Sequence, residues 1–254
     1  MKIPSSNTPE PIAIIGAACR FPGNVNSLDS FWSLLESGTD AVTRIPKGRF
    51  SEERFHSANK NLAGRSYTIA AEVIPGIKDF DPDFFGISRK EAMDMDPQQR
   101  LALEVAYEAI EQAFVRPSTI RGSETGVYMG ASNVDNSLQA PNDPPVTTAY
   151  SMTGSNLSII ANRISYILDL HGPSLTVDTA CSSALVALHL ACEDLRTGKI
   201  SQAIAGGVNI LLAPYAFVGF SKARMLSPDG RCRVFDASGN GYVRSEGGGA
   251  VLLK

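Results

Sequence analysis

A β-branched strand pattern gives way to a helical pattern within one run, Ser174-Leu-Thr-Val-Asp-Thr-Ala-Cys181-Ser-Ser-Ala-Leu-Val-Ala-Leu-His-Leu190. The run predicts a strand over 174–179 and a helix over 182–197, with Cys181 at the junction. Backbone N–H groups in the first turn of a helix lack intrahelical partners and, with the helix dipole, favour a thiolate. The same groups can hold a carbonyl oxygen as it becomes an oxyanion, so the junction predicts a nucleophile with part of its stabilising site.

Strands and helices alternate on both sides of this junction. The patterns predict further strands over 11–16, 125–132, 202–212 and 241–254, and helices over 27–35, 97–113 and 154–168. Asp96 and Pro97 supply an N-cap and a first helical residue for the second of these helices. The alternation indicates an α/β fold with a mostly parallel sheet covered on both faces. Residues 1–10 read as a leader and 11–254 as one domain, with 37–95 as a surface excursion inside it.

The helix after Cys181 is apolar around nearly its whole circumference. Its apolar positions include Leu185, Leu188, Cys192 and Leu195, with several alanines between them. A helix that is apolar all round is buried all round, and a single sheet covers only one side of it. The sequence therefore predicts another layer over this helix, from missing sequence or from a partner.

Composition narrows the classes of function. The net charge of −3 has no block of like charges behind it, so nothing indicates a nucleic acid or an anionic membrane as a partner. The longest apolar runs fall well short of the ~20 residues that span a bilayer. The four cysteines show no C-x-x-C spacing, and the first ten residues lack an apolar signal core. These observations predict a soluble protein of the reducing cytoplasm.

A nucleophilic cysteine in acyl chemistry usually needs a base or donor beside it, and none of the three histidines fits locally. His189 follows about 12 Å along the helix axis, and His171 lies about 20 Å or more away across the preceding strand. His56 sits in the charged excursion, where a solvated role is expected. The chain also lacks a Gly-x-Ser-x-Gly elbow near the thiol, and Glu246-Gly-Gly-Gly-Ala250 indicates close backbone packing and not a phosphate loop.

Several motifs, taken together and in order, carry a family resemblance. They are Glu10-Pro-Ile-Ala-Ile-Ile-Gly16, Cys19-Arg-Phe-Pro-Gly23, Asp94-Met-Asp-Pro-Gln-Gln-Arg-Leu101, Asn162-Arg-Ile-Ser-Tyr166, Gly172-Pro-Ser174, Asp178-Thr-Ala-Cys-Ser-Ser183 and Ser227-Pro-Asp-Gly-Arg-Cys232. The chain resembles the amino-terminal half of a β-ketoacyl synthase, specifically the ketosynthase domain of a modular type I polyketide synthase. The resemblance covers nearly the whole chain.

The resemblance implies a thiolase-like fold, in which two similar halves stack as five layers, αβαβα, with helices buried between two sheets. It implies that Cys181 accepts an acyl group from the phosphopantetheine arm of an acyl carrier protein, with its backbone N–H as one oxyanion donor. A malonyl-type extender thioester is then decarboxylated and condensed in polyketide or fatty acid biosynthesis. Phe220 would line the acyl pocket, and Met152 would reach the pocket of the other protomer of a homodimer. No metal and no resident cofactor are implied.

The chief departure from the family is an absence. The two catalytic histidines of the family, one of them in a His-Gly-Thr-Gly-Thr motif, belong to the second half, and no such motif occurs in this sequence. Each lost donor of this kind typically costs ~10² to 10³ in rate. We therefore expect acyl loading on Cys181 at most, and condensation only with the missing carboxy-terminal half.

Two other interpretations stay open. A non-catalytic ketosynthase-like interaction subunit, or an inactive fragment, would share the fold without doing the chemistry; the intact Thr-Ala-Cys-Ser-Ser run around Cys181 argues against it. A thiolase or a chain-initiating synthase would also share the fold. The Asp94-Met-Asp-Pro-Gln-Gln99 segment and the long excursion favour the polyketide type. The acyl substrate, the extender unit and the product cannot be read from the sequence.

Overall fold

The structure, a computed structural model, describes residues 10–139 and 144–254. The predicted leader at 1–10 thus lies outside the described residues, apart from Glu10. The described part contains eight strands: β1 (Ile14–Arg20), β2 (Thr43–Arg44), β3 (Ala70–Glu72), β4 (Gly126–Gly130), β5 (Ser174–Val177), β6 (Ala203–Asn209), β7 (Arg244–Ser245) and β8 (Gly247–Leu253). β2, β3 and β7 form a small sheet, and the other five form the main sheet in the order β1-β8-β6-β4-β5.

The main sheet is mixed. β4 pairs in parallel with β5 and β6, whereas β8 pairs antiparallel with β1 and β6. Among the described strands of this sheet only β8 runs against the others, so the prediction of a mostly parallel sheet is confirmed for strand direction. The exception to the parallel arrangement is β8, which pairs antiparallel with both of its neighbours. A long irregular segment, and not a helix, leads into this strand.

The described residues also contain ten α-helices. They are α1 (Leu28–Ser37), α2 (Glu52–Phe55), α3 (Arg89–Asp94), α4 (Pro97–Gln112), α5 (Pro117–Ile120), α6 (Asp135–Gln139), α7 (Ser151–Ser155), α8 (Ser158–Leu168), α9 (Ser183–Arg196) and α10 (Tyr215–Lys222). α4 and α8 pack on one face of the main sheet, and α9 packs on the other. The predicted covering of both faces is therefore confirmed.

α4 forms as the sequence predicts. The Asp96 side chain accepts a hydrogen bond from the backbone N–H of Gln98 at 2.8 Å, and Pro97 occupies the first turn. The helix buries a broad apolar face against the sheet, which includes Ala102, Leu103, Val105, Ala106 and Ile110. Burial of each large side chain in such a face contributes about 1.5–3 kcal/mol, so α4 anchors the core.

The helix predicted over 154–168 corresponds to α8, which begins only at Ser158, and residues 154 and 155 are the end of a separate helix, α7. The chain between them is extended at Asn156. The Gly154 carbonyl accepts hydrogen bonds from the Asp96 N–H at 2.8 Å and from Gln99 Nε2 at 3.1 Å. The Gly154 carbonyl is therefore bonded to residues at the start of α4, and this contact interrupts the predicted helix.

α9 is covered on one side within the described residues. Its buried positions are Ser183, Ala187 and Ala191, which face the sheet, whereas Leu185 on the outer side is 72% exposed. The helix lies very close to the sheet, since a Cβ built on Gly130 of β4 would lie 2.4 Å from the backbone nitrogen of Ala184. The outer face of α9 is thus exposed within the described residues, and the further layer over it stays a prediction.

The segment 37–95 is mostly irregular, but it contributes to two hydrophobic clusters. Ile45, Tyr67, Ile69 and Ala71 pack against Leu211, Phe217 and Leu226 beside the small sheet. Ile74, Ile87, Ala92 and Met95 join the cluster beneath α4 and α8. The segment is therefore attached to the main body along much of its length.

None of the helices in residues 10–139 and 144–254 combines the length and apolar content that a bilayer crossing requires. Within the same residues, no three His, Cys, Asp or Glu side chains are grouped as ligands for a metal ion. All four cysteines are free thiols, and Cys181 and Cys232 are the exposed ones.

Candidate active site

Cys181 lies in a tight turn between the end of β5 and the start of α9. A single 3-10 turn, Ala180–Ser182, joins the two elements, so α9 begins one residue later than predicted. Ala180 has a φ of 56°, a left-handed conformation that costs a non-glycine residue about 1–2 kcal/mol. The neighbouring thiol is thereby exposed at the amino-terminal end of a helix.

Hydrogen bonds from side chains hold this turn. The buried Ser183 Oγ accepts from the Thr179 N–H at 2.9 Å and donates to the Ala180 carbonyl at 2.6 Å. Asp178 Oδ1 accepts from the Ala180 N–H at 3.0 Å, and Ser182 Oγ donates to the Thr179 carbonyl at 2.9 Å. These contacts satisfy turn groups that a helix cannot satisfy and offset part of the strain at Ala180.

The thiol opens into a large, mostly apolar cavity of about 1010 Å³. Phe220, the predicted pocket residue, lines the same cavity as Cys181, together with Leu185 and Leu188 of α9. Met152 lies on α7, is 67% exposed and does not line this cavity. Its predicted role concerned the other protomer of a dimer and stays a prediction.

None of the three histidines lines this cavity within the described residues. His56 lies 3.9 Å from Glu52, His171 lies 3.3 Å from Asp169, and His189 is exposed on α9. No histidine of residues 10–139 and 144–254 therefore shares the cavity with the Cys181 thiol.

Two cavity residues, Tyr242 and Arg244, were not found from the sequence. The pattern predicted one strand over 241–254, but the strand breaks at Glu246 between β7 and β8. The Glu246 carboxylate is buried and accepts from the backbone N–H groups of Ile74 and Leu211 at 3.0 Å each. Because the strand breaks at Glu246, residues 242–245 face the cavity. The only sign of this break is the set of long-range contacts of Glu246, which cannot be read from the local sequence.

Aromatic side chains and one cation make up this wall of the cavity. The Phe220 and Tyr242 rings meet edge to face with centroids 5.9 Å apart. The Arg244 guanidinium lies over the Phe217 and Phe220 rings, 5.6 and 5.2 Å from their centroids. Phe217 is itself fully buried, so α10 holds this group firmly against the body of the protein.

The glycines of β8 bring backbones close together, as predicted for residues 246–250. A Cβ on Gly248 would lie 2.8 Å from the Leu101 side chain, and one on Gly206 of β6 would lie 2.3 Å from the Gly249 carbonyl oxygen. The glycine-rich run therefore serves packing between α4, β8 and β6.

The structure thus places a free thiol on a strand-to-helix turn beside a mostly apolar cavity. The family model of the β-ketoacyl synthase N-terminal domain matches residues 9–254, and the chain belongs to that family. The resemblance stated from the motifs is thus confirmed, and so is the thiolase-like fold.

Similar proteins point to polyketide synthases in particular. Two proteins of the phenolphthiocerol/phthiocerol polyketide synthase of Mycobacterium tuberculosis are 47% and 44% identical to this chain over 245 residues; these matches cover 96% of this chain and 13% of each relative. The ketosynthase from module 6 of the bacillaene synthase of Bacillus subtilis superposes with a TM-score of 0.86 at 36% identity, covering 96% of this chain and 40% of that one. The oxazolomycin ketosynthase domain of Streptomyces albus gives 0.87 at 37% identity, covering 96% and 43%.

Proposed function

We propose that this chain provides the acyl-accepting part of a polyketide ketosynthase. The Cys181 sulfur attacks the carbonyl carbon of an acyl thioester, the bond from that carbon to the pantetheine sulfur breaks, and the departing thiolate takes up the proton that Cys181 released. One acyl-enzyme thioester and one free thiol result. The observation that carries the proposal is the exposed, unpaired Cys181 at the mouth of the cavity that Phe220 lines.

The turn supports this chemistry because it fixes the sulfur at the start of α9. The backbone N–H of Cys181 is our candidate for one oxyanion donor, since it lies at the same helix terminus.

Condensation requires more groups than acyl loading does. The decarboxylation of a malonyl-type thioester and the attack of its carbanion need further donors, and no histidine of the described residues lines the cavity. We therefore propose that condensation requires imidazoles from polypeptide beyond the residues described.

A basic surface next to α10 fits an acidic carrier protein. Lys222 donates to the backbone carbonyls of Lys60 and Leu62, and Arg224 Nη2 donates to Asn61 Oδ1 at 2.8 Å. Arg65 Nη1 likewise donates to the carbonyls of Glu53 and His56.

These basic side chains keep their positive charge free for a partner. No carboxylate of the described residues forms an ion pair with Lys60, Arg65, Lys222 or Arg224, although the net charge of the whole chain is −3. We propose that a carrier protein docks here and extends its phosphopantetheine arm toward Phe220 and Cys181; no resident cofactor is assigned.

We also propose that the chain forms a homodimer through β5. This strand ends the main sheet, so its outer backbone groups are unpaired within the described residues. Leu175 on β5 is 45% exposed, and Tyr166 on the neighbouring α8 is 83% exposed. A second copy can pair along this edge. The cytoplasmic setting inferred from cysteine content stays a prediction.

Intact-protein mass spectrometry tests the loading proposal. Incubation with a butyryl thioester should add one butyryl group to the wild-type chain and none to Cys181→Ala. Cys232→Ala is the matched control, because Cys232 is also exposed, and it should load like wild type. A wild-type chain that gains no butyryl group, or a Cys181→Ala chain that still gains one, would refute the proposal.

A non-catalytic interaction subunit is the second candidate function. The lack of any histidine lining the cavity in the described residues favours it. The same experiment separates the two functions, because an interaction subunit has no need to load Cys181.

A further inference from the structure

Arg244 is a cation in a cavity whose walls are otherwise mainly apolar. It lines the same cavity as Cys181 and Phe220, and its position on β7 is fixed by pairing of that strand with Ala71 of β3. The stacking on the Phe217 and Phe220 rings holds the guanidinium plane in place. A rigid group of this kind loses little freedom when a ligand binds to it.

The protein leaves most of the hydrogen-bonding capacity of Arg244 unused. A guanidinium carries five N–H donors, and its Nε is buried here without a partner. No carboxylate of the described residues forms an ion pair with it. The nearest in sequence, Glu246, is already engaged by Arg49 at 3.1 Å and by the N–H groups of Ile74 and Leu211.

The charge of Arg244 also acts on the phenol of Tyr242. Burial raises the pKa of the Tyr242 phenol, and the charge and hydrogen bonding of Arg244 lower it in part. One phenol oxygen accepts at most two hydrogen bonds, so donors on the guanidinium remain for a ligand. Tyr242 also lines the cavity, which places a second polar group beside the first.

We propose that Arg244 makes the Cys181 site selective for acyl chains that carry an oxygen function, a hydroxyl or a carbonyl, over plain hydrocarbon chains. An acyl oxygen accepts from the unused guanidinium donors, whereas a hydrocarbon chain of equal length leaves a partly desolvated cation without a partner. The proposal rests on the proposed function, because it names the class of acyl group that the same site takes. Arg244 acts here as a specificity-determining residue.

Binding to a variant that cannot be acylated tests the inference independently of loading. In the full chain with Cys181→Ala, dissociation constants are measured by ligand-observed NMR for hexanoyl, 3-hydroxyhexanoyl and 5-hydroxyhexanoyl N-acetylcysteamine thioesters. We expect at least one hydroxylated thioester to bind about tenfold more tightly than hexanoyl, the size of one hydrogen bond to a charged group. Equal affinity for all three thioesters would overturn the inference, whether or not Cys181 loads.

Variants of the arginine complete the test. Adding Arg244→Met to Cys181→Ala should weaken binding of the hydroxylated thioesters more than binding of hexanoyl and so remove the preference, whereas Arg244→Lys should retain part of it. The control is Arg89→Met, which removes an exposed arginine outside the cavity and should keep the preference. A preference that survives Arg244→Met, or an equal loss for all three thioesters, would assign Arg244 a structural role only. If Arg244→Met fails to fold, Arg244→Lys takes its place, and an undiminished preference in that variant would overturn the inference.

Discussion

Ser183 holds the turn that presents Cys181. It is buried, and its hydroxyl both accepts from Thr179 and donates to Ala180, while the neighbouring Ser182 is exposed. We expect Ser183→Ala to lower the free energy of unfolding by about 1–2 kcal/mol, because two turn groups lose their partner. Ser182→Ala is the matched control: its hydroxyl also bonds to Thr179 but is exposed, so water can replace that bond and the cost should stay below about 0.5 kcal/mol. Urea unfolding measures both, and equal costs would show that the Ser183 contacts do not stabilise the turn.

Glu104 should make stability depend on pH. Burial raises its pKa to about 7, with Glu108 and Asp79 adding to the rise and Arg20 and Arg100 opposing it. An unfolded glutamate titrates near pH ~4.3, so the folded chain binds this proton more tightly. The contribution to stability is therefore full below pH ~4.3 and is lost as the pH rises through about 7.

The Glu104→Gln variant isolates this effect. Between pH 5 and pH 8 the wild-type free energy of unfolding should fall more steeply than that of Glu104→Gln, because the variant has no proton to lose. Glu36→Gln, at an exposed position on α1, should keep the wild-type slope. Parallel slopes for wild type and Glu104→Gln would rule out a raised pKa.

Among the elements, the close approach of α9 to β4 depends on a missing side chain. A methyl group on Gly130 would overlap the backbone of Ala184, and backbone cannot yield as a flexible side chain can. Gly130→Ala should destabilise the chain by about 1–3 kcal/mol or more. Gly48→Ala, with open space around the added Cβ, should stay within about 0.5 kcal/mol of wild type. Thermal and urea unfolding of the pair measure the difference, and a neutral Gly130→Ala would disprove the tight packing.

Local patterns predicted the five strands of the main sheet and the helices α1, α4, α8 and α9, most of them to within a few residues, and missed the shorter elements. α4 and the β5–α9 junction follow from caps and periodicity that lie within the elements themselves. The missed breaks at Asn156 and Glu246 have distant causes: the start of α4 takes the Gly154 carbonyl, and Arg49, Ile74 and Leu211 hold Glu246. Such contacts are set by tertiary structure, and no window of neighbouring residues contains them.

At the scale of the whole molecule, the outer face of α9 should make the 254-residue chain bind a hydrophobic dye. Leu185 is 72% exposed beside the apolar cavity, so apolar surface lies open to solvent. We expect fluorescence of an anilinonaphthalene dye to rise on binding and to fall in Leu185→Lys. Phe114→Lys is the control, because Phe114 is 97% exposed but does not line the cavity. A monodisperse chain that binds no dye would contradict the expectation of an uncovered layer.

The candidate site was predictable only in part. Cys181 stands out because a strand, a turn and a helix meet within one short run of sequence. Tyr242 and Arg244 reach the same cavity only after the chain returns through the turn-rich residues 227–241, so their role depends on how distant segments pack. The match to polyketide synthases extends over 13–16% of the curated relatives, so the activity of the whole enzyme stays a proposal.

Peptide mapping tests most directly whether Cys181 is the acyl-accepting thiol. The chain is incubated with a butyryl thioester, remaining thiols are blocked with iodoacetamide, and the digested peptides are weighed. We predict the butyryl group on the peptide that contains Cys181, and the iodoacetamide adduct on the peptide that contains Cys232, the other exposed cysteine. Butyryl spread equally over both peptides, or Cys181 recovered only as its iodoacetamide adduct, would contradict the assignment.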